Sequence, residues 1–376
     1  MEQSVKDILA DDFWIMPATP EYIDEGVPYI TSKNIKNGII DFTKVNYISQ
    51  DAYENISKNR PILVGDILIS MIGTLGETAE VKESDGSFYG QNMFLVRLDE
   101  SKINKRYFLN FFKSNCVKRA LEGKQNQSTQ KYLKANHIED LLIPVPALDE
   151  QKLIAKQLDK LAGIIALRNE ELKYLDDIIR ARFVEMFGEY YKNHINEKQL
   201  DEICDFIDYR GKTPEKSESG IPLITAKNVK DNRFSIEPQE FIPEENYDDV
   251  MTRGIPRVND VLFTTEAPLG NVCRIPDVYE RFCVGQRLIT MQPHTDVINP
   301  EYLEHALTSA EFQEKMWQKS SGSTVKGIRS KLLVLLTIPV PPIELQNQFR
   351  DFLKQVDKSK VVCVFGRLAC TQIKRV

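Results

Sequence analysis

Two adjacent side chains, Lys33 and Asn34, sit in a run that reads P-Y-I-T-S-K-N-I, and the pair returns as Lys227 and Asn228 within P-L-I-T-A-K-N-V. A lysine can meet a phosphate or a guanine, and an asparagine can pair through both ends of its amide with adenine. The plainer alternative is that each asparagine caps the turn after its strand. Gln91-Asn92 and Gln286-Arg287 each follow a glycine at the start of an apolar run. Glutamine and arginine also read bases, although hydrogen bonding along a strand edge would use the same side chains. The stretches 124–131 (K-Q-N-Q-S-T-Q-K) and 319–326 (K-S-S-G-S-T-V-K) carry Lys124, Ser128, Thr129, Lys131, Ser323, Thr324 and Lys326 with no acid among them. Hydroxyls, amides and lysines in that mixture suit a phosphate backbone; a solvated loop is the ordinary alternative. Tyr107, Phe108, Phe111 and Phe112 recur at helical spacing and are expected in a core, not as stacking platforms.

No spacing in the chain calls for catalysis. There is no G-x-S-x-G, no phosphate-binding loop and no H-E-x-x-H. Asn299-Pro300-Glu301-Tyr302 lacks the second proline of an Asn-Pro-Pro-aromatic methyltransferase motif, and Asn104-Lys105-Arg106-Tyr107 lacks both prolines. The four histidines are scattered without metal-ligand spacing. The six cysteines (116, 204, 273, 283, 363 and 370) form no C-x-x-C pair and read as thiols in a reducing cytosol. No catalytic residue, metal or cofactor is therefore expected.

The paired motifs belong to one long repeat. Pro28 and Pro222 lie 194 residues apart. Gly90-Gln91 with Gly285-Gln286, Ser128-Thr129 with Ser323-Thr324, and I-P-V-P at 143–146 with 338–341 lie 195 apart. Order and spacing hold across most of the chain. The unit is far longer than a solenoid repeat of about 20–50 residues, so it is a duplicated domain with a connecting helix. Such a pseudo-two-fold molecule suits a bipartite target, of which duplex DNA is the commonest.

At 376 residues the chain has room for two domains with their own cores. The longest apolar run, 332–336, is far short of the roughly 18–20 residues of a membrane span. The N-terminus has no basic segment before an apolar stretch, so a cytoplasmic protein is expected. The net charge of −6 weighs against nucleic acid only if taken globally. Residues 102–134 hold nine Lys/Arg against the single acid Glu122, while acids gather at 149–189 and 237–249. That asymmetry fits one face toward DNA and another toward protein.

The elements that must position these residues follow from pattern. Residues 27–31, 39–48, 62–71, 88–98 and 282–291 read as strands, and 105–121 and 300–319 as helices. Each copy then reaches its Pro-x-Pro and enters a long helix. The first, at about 148–187, carries a seam of Leu158, Leu161, Ile165, Arg168, Leu172, Leu175, Ile179, Arg182 and Met186 in steps of three and four. The two arginines call for acids or an exposed edge opposite them. In the second copy Gln346, Phe349, Leu353 and Val356 match Gln151, Ile154, Leu158 and Leu161, but the match fails after about Lys360. The second helix is therefore expected to be truncated, leaving Leu172, Leu175 and Ile179 uncovered.

With the duplicated P-x-I-T-x-K-N run, the Ser/Thr loop, the I-P-V-P stop and the E-Q-K-L-I-A helix assembled, the chain resembles the specificity subunits of type I restriction–modification enzymes. The resemblance covers about 5–360. It implies an α/β (α+β) fold of two tandem target-recognition domains, 1–146 and 198–341. It implies helical regions at 147–197 and 342–376 forming an antiparallel coiled coil that fixes half-site spacing. It further implies double-stranded DNA, methyltransferase subunits and translocase–nuclease restriction subunits as partners. The rival readings are a fused methyltransferase or nuclease, a coiled-coil scaffold without DNA contact, and a rearranged, inactive specificity subunit.

Overall fold

The first strand of the chain pairs with one that arrives almost 140 residues later. Glu2–Ser4 runs antiparallel to Leu142–Pro144, with Gln3 opposite Ile143. The second copy does the same, Glu197–Gln199 lying antiparallel to Thr337–Pro339. The I-P-V-P segments are thus the closing strands of two domains. The computed structural model describes residues 2–16, 20–73, 75–123, 132–209, 214–230, 232–322 and 325–373, with 123 and 362–373 described by backbone alone. The chain divides into two compact units, Met1–Asn169 with Phe365–Val376, and Glu170–Val364.

Every sheet of the first unit has a counterpart in the second. The four-stranded antiparallel sheet runs Trp14–Ile15, Met93–Val96, Ile67–Ser70, Thr78–Glu80; its counterpart runs Cys204–Asp208, Leu288–Pro293, Val261–Thr264, Val272–Arg274. A three-stranded sheet, Asn46–Ile48, Val27–Thr31, Tyr89–Gln91, answers to Phe241–Ile242, Ile221–Ile224, Cys283–Val284, each with one antiparallel and one parallel pair. A small hairpin, Ile35–Lys36 with Ile39–Ile40, answers to Val229–Lys230 with Arg233–Phe234.

The central strands are unbroken apolar runs because both faces are buried. Ile67, Ile69, Phe94 and Val96 enter a core with Phe108, Phe112, Val117 and Leu121 of the helices. Their neighbours Leu68, Met93 and Leu95 face a second core with Tyr29, Ile30 and Tyr89. Each unit is thus helices on a sheet on a second sheet. Tyr107, Phe108 and Phe112 are buried and Phe111 packs against them, as their spacing predicts.

Two expected helices are each split. Lys105–Phe112 and Asn115–Gly123 are separate, as are Pro300–Leu307 and Ala310–Lys319. A serine hydroxyl does it: Ser114 Oγ accepts from Val117 N at 3.3 Å, and Ser309 Oγ from Phe312 N at 3.2 Å. Each serine caps a new N-terminus in place of continuing the old helix. The strand expected over 88–98 is broken likewise at Asn92, whose φ of 61° is left-handed.

The long helix runs Leu148–Lys192, five residues past its expected end. All nine seam residues are buried or half-buried, while most positions between them are exposed. Within the second unit its last turns pair antiparallel with the C-terminal helix. Phe349 meets both Phe183 and Phe187 with ring centroids 5.5 Å apart, and Lys360 Nζ lies 2.6 Å from Asp176 Oδ1. Arg182 finds an aromatic face, not an acid, opposite it: its guanidinium lies 5.9 Å from the Phe352 ring centroid, and its carboxylate partner is Glu185 on its own helix.

The C-terminal helix corrects one expectation. It spans Ile343–Ile373, 31 residues against 45, so it is the shorter but does not stop near Lys360. Ile179 is 3% exposed and Leu175 packs on the same core. The end expected to lie bare is covered. In an antiparallel pair the first turns of one helix cover the last turns of the other, so Phe349, Leu353 and Val356 reach Ile179, Phe183 and Phe187 at once.

Each long helix is keyed into its domain by a glutamine with no exposed surface. Gln346 Oε1 accepts from Asn299 N at 2.8 Å, and its amide donates to Val297 O at 3.1 Å and Pro341 O at 2.8 Å. Gln151 repeats this with Asn104 N, Lys102 O and Pro146 O at 2.7, 3.0 and 2.9 Å. Beside them Tyr107 and Tyr302 donate to Pro144 O and Pro339 O at 2.9 and 2.8 Å. Replacing Gln346 by Ala strands three buried groups and should cost about 3 kcal/mol, lowering the melting transition of the second unit by roughly 6–12 °C. Gln151→Ala should lower that of the first unit. Calorimetry checks both, and shifts under about 2 °C would show that the joint is not held this way.

The ladder that closes the second unit is pH-sensitive. Burial opposes ionisation of Glu197, but hydrogen bonds from His194, Lys315 and Thr337 outweigh it and hold the carboxyl at about 2, against 4.5 when unfolded. A depressed carboxyl contributes stability that is present in full above 4.5 and is lost as pH falls toward 2, on the order of 3 kcal/mol in all. Glu197→Gln should flatten the acid limb of stability between pH 4.5 and 2, measured by denaturant unfolding at each pH; an unchanged limb refutes the linkage.

Candidate nucleic-acid interface

The strand register gathers the sequence-selected residues at one end of each unit. Thr31 pairs with Gln91, so the turn bearing Lys33 and Asn34 leaves the sheet beside Gln91-Asn92. Met71 N donates to Asn92 O at 3.0 Å, Leu133 N donates to Met71 O at 2.9 Å, and Ile72 bridges to Tyr132. Three loops therefore meet: 71–73, 91–92 and the segment at 132–133. The second unit builds the same junction. Thr265 N donates to Arg287 O and Ile328 N to Thr265 O, both at 3.0 Å, and Glu266 bridges to Gly327. A groove of about 400 Å³ lies there, lined by Glu266, Gln286, Arg287, Ser321 and Arg329 among others. A larger cavity of about 560 Å³ lies elsewhere in that unit, against Phe183, Tyr191 and His305, and includes none of the expected residues.

The expected residues take different roles at this junction. Lys33 and Lys227 hold the same position in their turns and both are exposed. Lys227 lies 3.0 Å from Glu240, which Lys216 also contacts at 2.7 Å. The Lys216 hydrogen bond, against burial and with help from Lys227, holds the Glu240 carboxyl below its usual range. Gln91 donates to the Tyr22 hydroxyl at 3.3 Å. Arg287 Nε lies 3.3 Å from Glu266 Oε1, and both side chains are about half exposed. Gln286 is half-buried and Lys326 exposed. Lys124, Ser128, Thr129, Lys131, Ser323 and Thr324 lie outside the described residues.

Asn34 and Asn228 behave as turn caps. Asn34 Oδ1 accepts from Thr31 N at 2.9 Å and Thr31 Oγ1 at 3.2 Å, and Nδ2 donates to Asp41 O and Lys44 O at 2.8 and 2.9 Å. Asn228 makes the same set with Thr225, Ser235 and Pro238. Both are buried and every amide valence is used. The alternative of a turn cap therefore fits these two residues, and base pairing does not.

The basic stretch is also less free than its composition suggests. Lys102 pairs with Asp99, Lys105 with Glu80 and Glu100, and Arg106 with Asp159. Lys113, Lys118, Arg119 and Lys134 remain exposed. Among the described residues no group of three His, Cys, Asp or Glu could hold a metal ion, and no helix is long and apolar enough to cross a membrane. Burial pushes the Cys283 thiol up to about 12 and Cys204 and Cys273 higher still, so these three are not nucleophiles at neutral pH.

Sequence reasoning missed Ile72, Tyr132, Glu266 and Arg329. The signal was present: Ile72 and Glu266 stand 194 residues apart and differ in kind just where two matched strands end. Comparing only what the copies share concealed it.

The family described as the type I restriction modification DNA specificity domain matches residues 16–176 and 193–362. The EcoBI type I restriction enzyme specificity subunit of Escherichia coli is 24% identical over 363 residues, covering 88% of this chain and 73% of its own. The MjaVIII specificity subunit of Methanocaldococcus jannaschii is 22% identical over 358 residues, covering 90% and 80%. A chain solved in a study of complex assembly and conformational transition of the type I R-M system matches the fold with a TM-score of 0.56 at 18% identity, over 100% of this chain and 95% of that one. The S subunit of the type I system from M. genitalium gives 0.50 at 16% identity, over 100% and 93%.

The cap role has a direct test. Asn228→Ala should destabilise the second unit by about 2–4 kcal/mol, because it strands buried groups of Thr225, Ser235 and Pro238. A surface base-reader would cost under about 0.5 kcal/mol. Denaturant unfolding separates the two values.

Proposed function

The chain belongs to the type I restriction modification DNA specificity family, and on that premise we propose that it is the sequence-reading subunit of a type I restriction–modification complex. Each unit reads one half of a split site in duplex DNA. The paired long helices hold the halves apart and dock methyltransferase subunits, to which restriction subunits add. The chain carries no catalysis of its own and acts in the cytoplasm. The observation that carries this reading is the three-loop junction, built twice on one scaffold with different side chains at its tip. Sequencing the methylated sites of cells that express the complex tests it: a single split motif is expected, and methylation without one would refute it.

Affinity for DNA should fall steeply with salt, as lysines displace counterions from phosphates. Lys124→Ala with Lys131→Ala should weaken binding to all sequences alike and reduce the slope of log K against log salt by about 2. Arg106, already paired with Asp159, should change it by less than about half a unit when replaced. Fluorescence anisotropy titrations at several salt concentrations check this, and an unchanged slope in the double variant would remove these lysines from the backbone contact.

A further inference from the structure

The two junctions share Gln91 and Gln286 but differ at the two residues beside them. In the first unit Asn92 stands next to Ile72, tied by the Met71 N to Asn92 O hydrogen bond. In the second, the equivalent hydrogen bond from Thr265 N to Arg287 O sets Arg287 next to Glu266. Two further hydrogen bonds match: Leu133 to Met71 as Ile328 to Thr265, and Gly76 to Ser70 as Gly270 to Thr264. The supporting ladder is shared, but the tips differ in side chains and in backbone: Asn92 is left-handed, while Leu288 N donates to Gly285 O in a turn that holds Arg287.

Each pair of side chains matches both halves of one base pair. In the major groove guanine offers two acceptors that arginine meets with two donors, and its partner cytosine offers an amino group that a carboxylate accepts. Adenine offers an acceptor and a donor that an asparagine amide meets, and its partner thymine offers a methyl group that takes an apolar contact. Arg287 with Glu266 is the first combination; Asn92 with Ile72 is the second. The ion pair between Arg287 and Glu266 uses Nε at 3.3 Å. Both terminal nitrogens of the guanidinium make no hydrogen bond or ion pair among the described residues. The Asn92 amide likewise makes no hydrogen bond among the described residues. Ile72 is 36% exposed, and the neighbouring Tyr132 is 41% exposed. A buried Asn34 with all four amide valences filled, one loop away, is the contrast to the half-buried Asn92.

We propose that Arg287 and Glu266 read a G·C pair in the half-site of the second unit, and that Asn92 and Ile72 read an A·T pair at the equivalent place in the half-site of the first. The assignment rests on the DNA-recognition reading above. It makes these four residues specificity determinants, with discrimination at each position of about 5- to 150-fold.

Selection from a pool of random duplexes tests it, using the full chain alone and with methyltransferase subunits. The unaltered chain should enrich a split motif with a fixed G·C pair in one half and a fixed A·T pair in the other. Arg287→Ala or Glu266→Ala should erase the first preference and leave the other half intact; Asn92→Ala or Ile72→Ala should erase the second alone. The double change Arg287→Asn with Glu266→Ile should convert G·C to A·T at that position. If the double variant fails to fold, Arg287→Lys, which keeps the charge but not the fork, should still weaken the G·C preference. A motif unchanged in the Arg287 variants, or an equal loss over every duplex, overturns the assignment while leaving DNA recognition standing. No enrichment by the unaltered chain in either form overturns DNA recognition itself.

Discussion

A buried amide at the root of each long helix sets what the rest of the molecule can do. A glutamine is costly to bury, and only full pairing offsets its desolvation. Gln151 and Gln346 meet that condition by gripping three backbone groups each, one ahead of the following short helix, one at the end of the preceding loop and one in the Pro-x-Pro segment. An apolar contact in their place would tolerate sliding and rotation. Directional hydrogen bonds do not, so each long helix leaves its own domain in one direction.

The layered domains divide labour along the strands. In the first unit the middle of each central strand is buried on both faces and is filled by Ile, Leu, Val, Phe and Met. The strand ends carry the loops of the junction, where one copy has Asn92 and Ile72 and the other Arg287 and Glu266. The same separation explains why the copies agree in K-N and I-P-V-P, which hold turns and closing strands, and disagree at the tips.

Much of this was legible in the sequence because duplication supplies its own control. The ordered repeats gave the two domains, and the steps of three and four gave a seam whose nine residues are all buried or half-buried. What stayed hidden was decided by competition between local hydrogen bonds and pattern. Ser114 and Ser309 sit inside helical periodicity yet cap new helices, and a hydroxyl's choice of partner leaves no trace in periodicity. Asn34 and Asn228 looked like surface groups because composition does not report which carbonyls fold back toward them. The covered end of the seam was misjudged although antiparallel packing was expected: in that arrangement it is the first turns of the second helix, Phe349 to Val356, that cover Ile179.

The closing ladders also impose an order in time. Glu2–Ser4 is made early and must wait for Leu142–Pro144 before its edge is paired, which makes each domain rich in long-range contacts and correspondingly slow to complete. The first ladder can close while the central helix is still being synthesised. The second unit waits longer: its main core takes Ile179 and Phe183 from the central helix and Phe349, Leu353 and Val356 from the C-terminal one. Until Phe349 and its neighbours arrive, the last turns of the central helix present Ile179, Phe183 and Phe187 only partly covered. Such a surface draws chaperones and misassembly. A ribosome that stalls anywhere in the second domain leaves a chain whose first ladder is closed and whose second core still lies open.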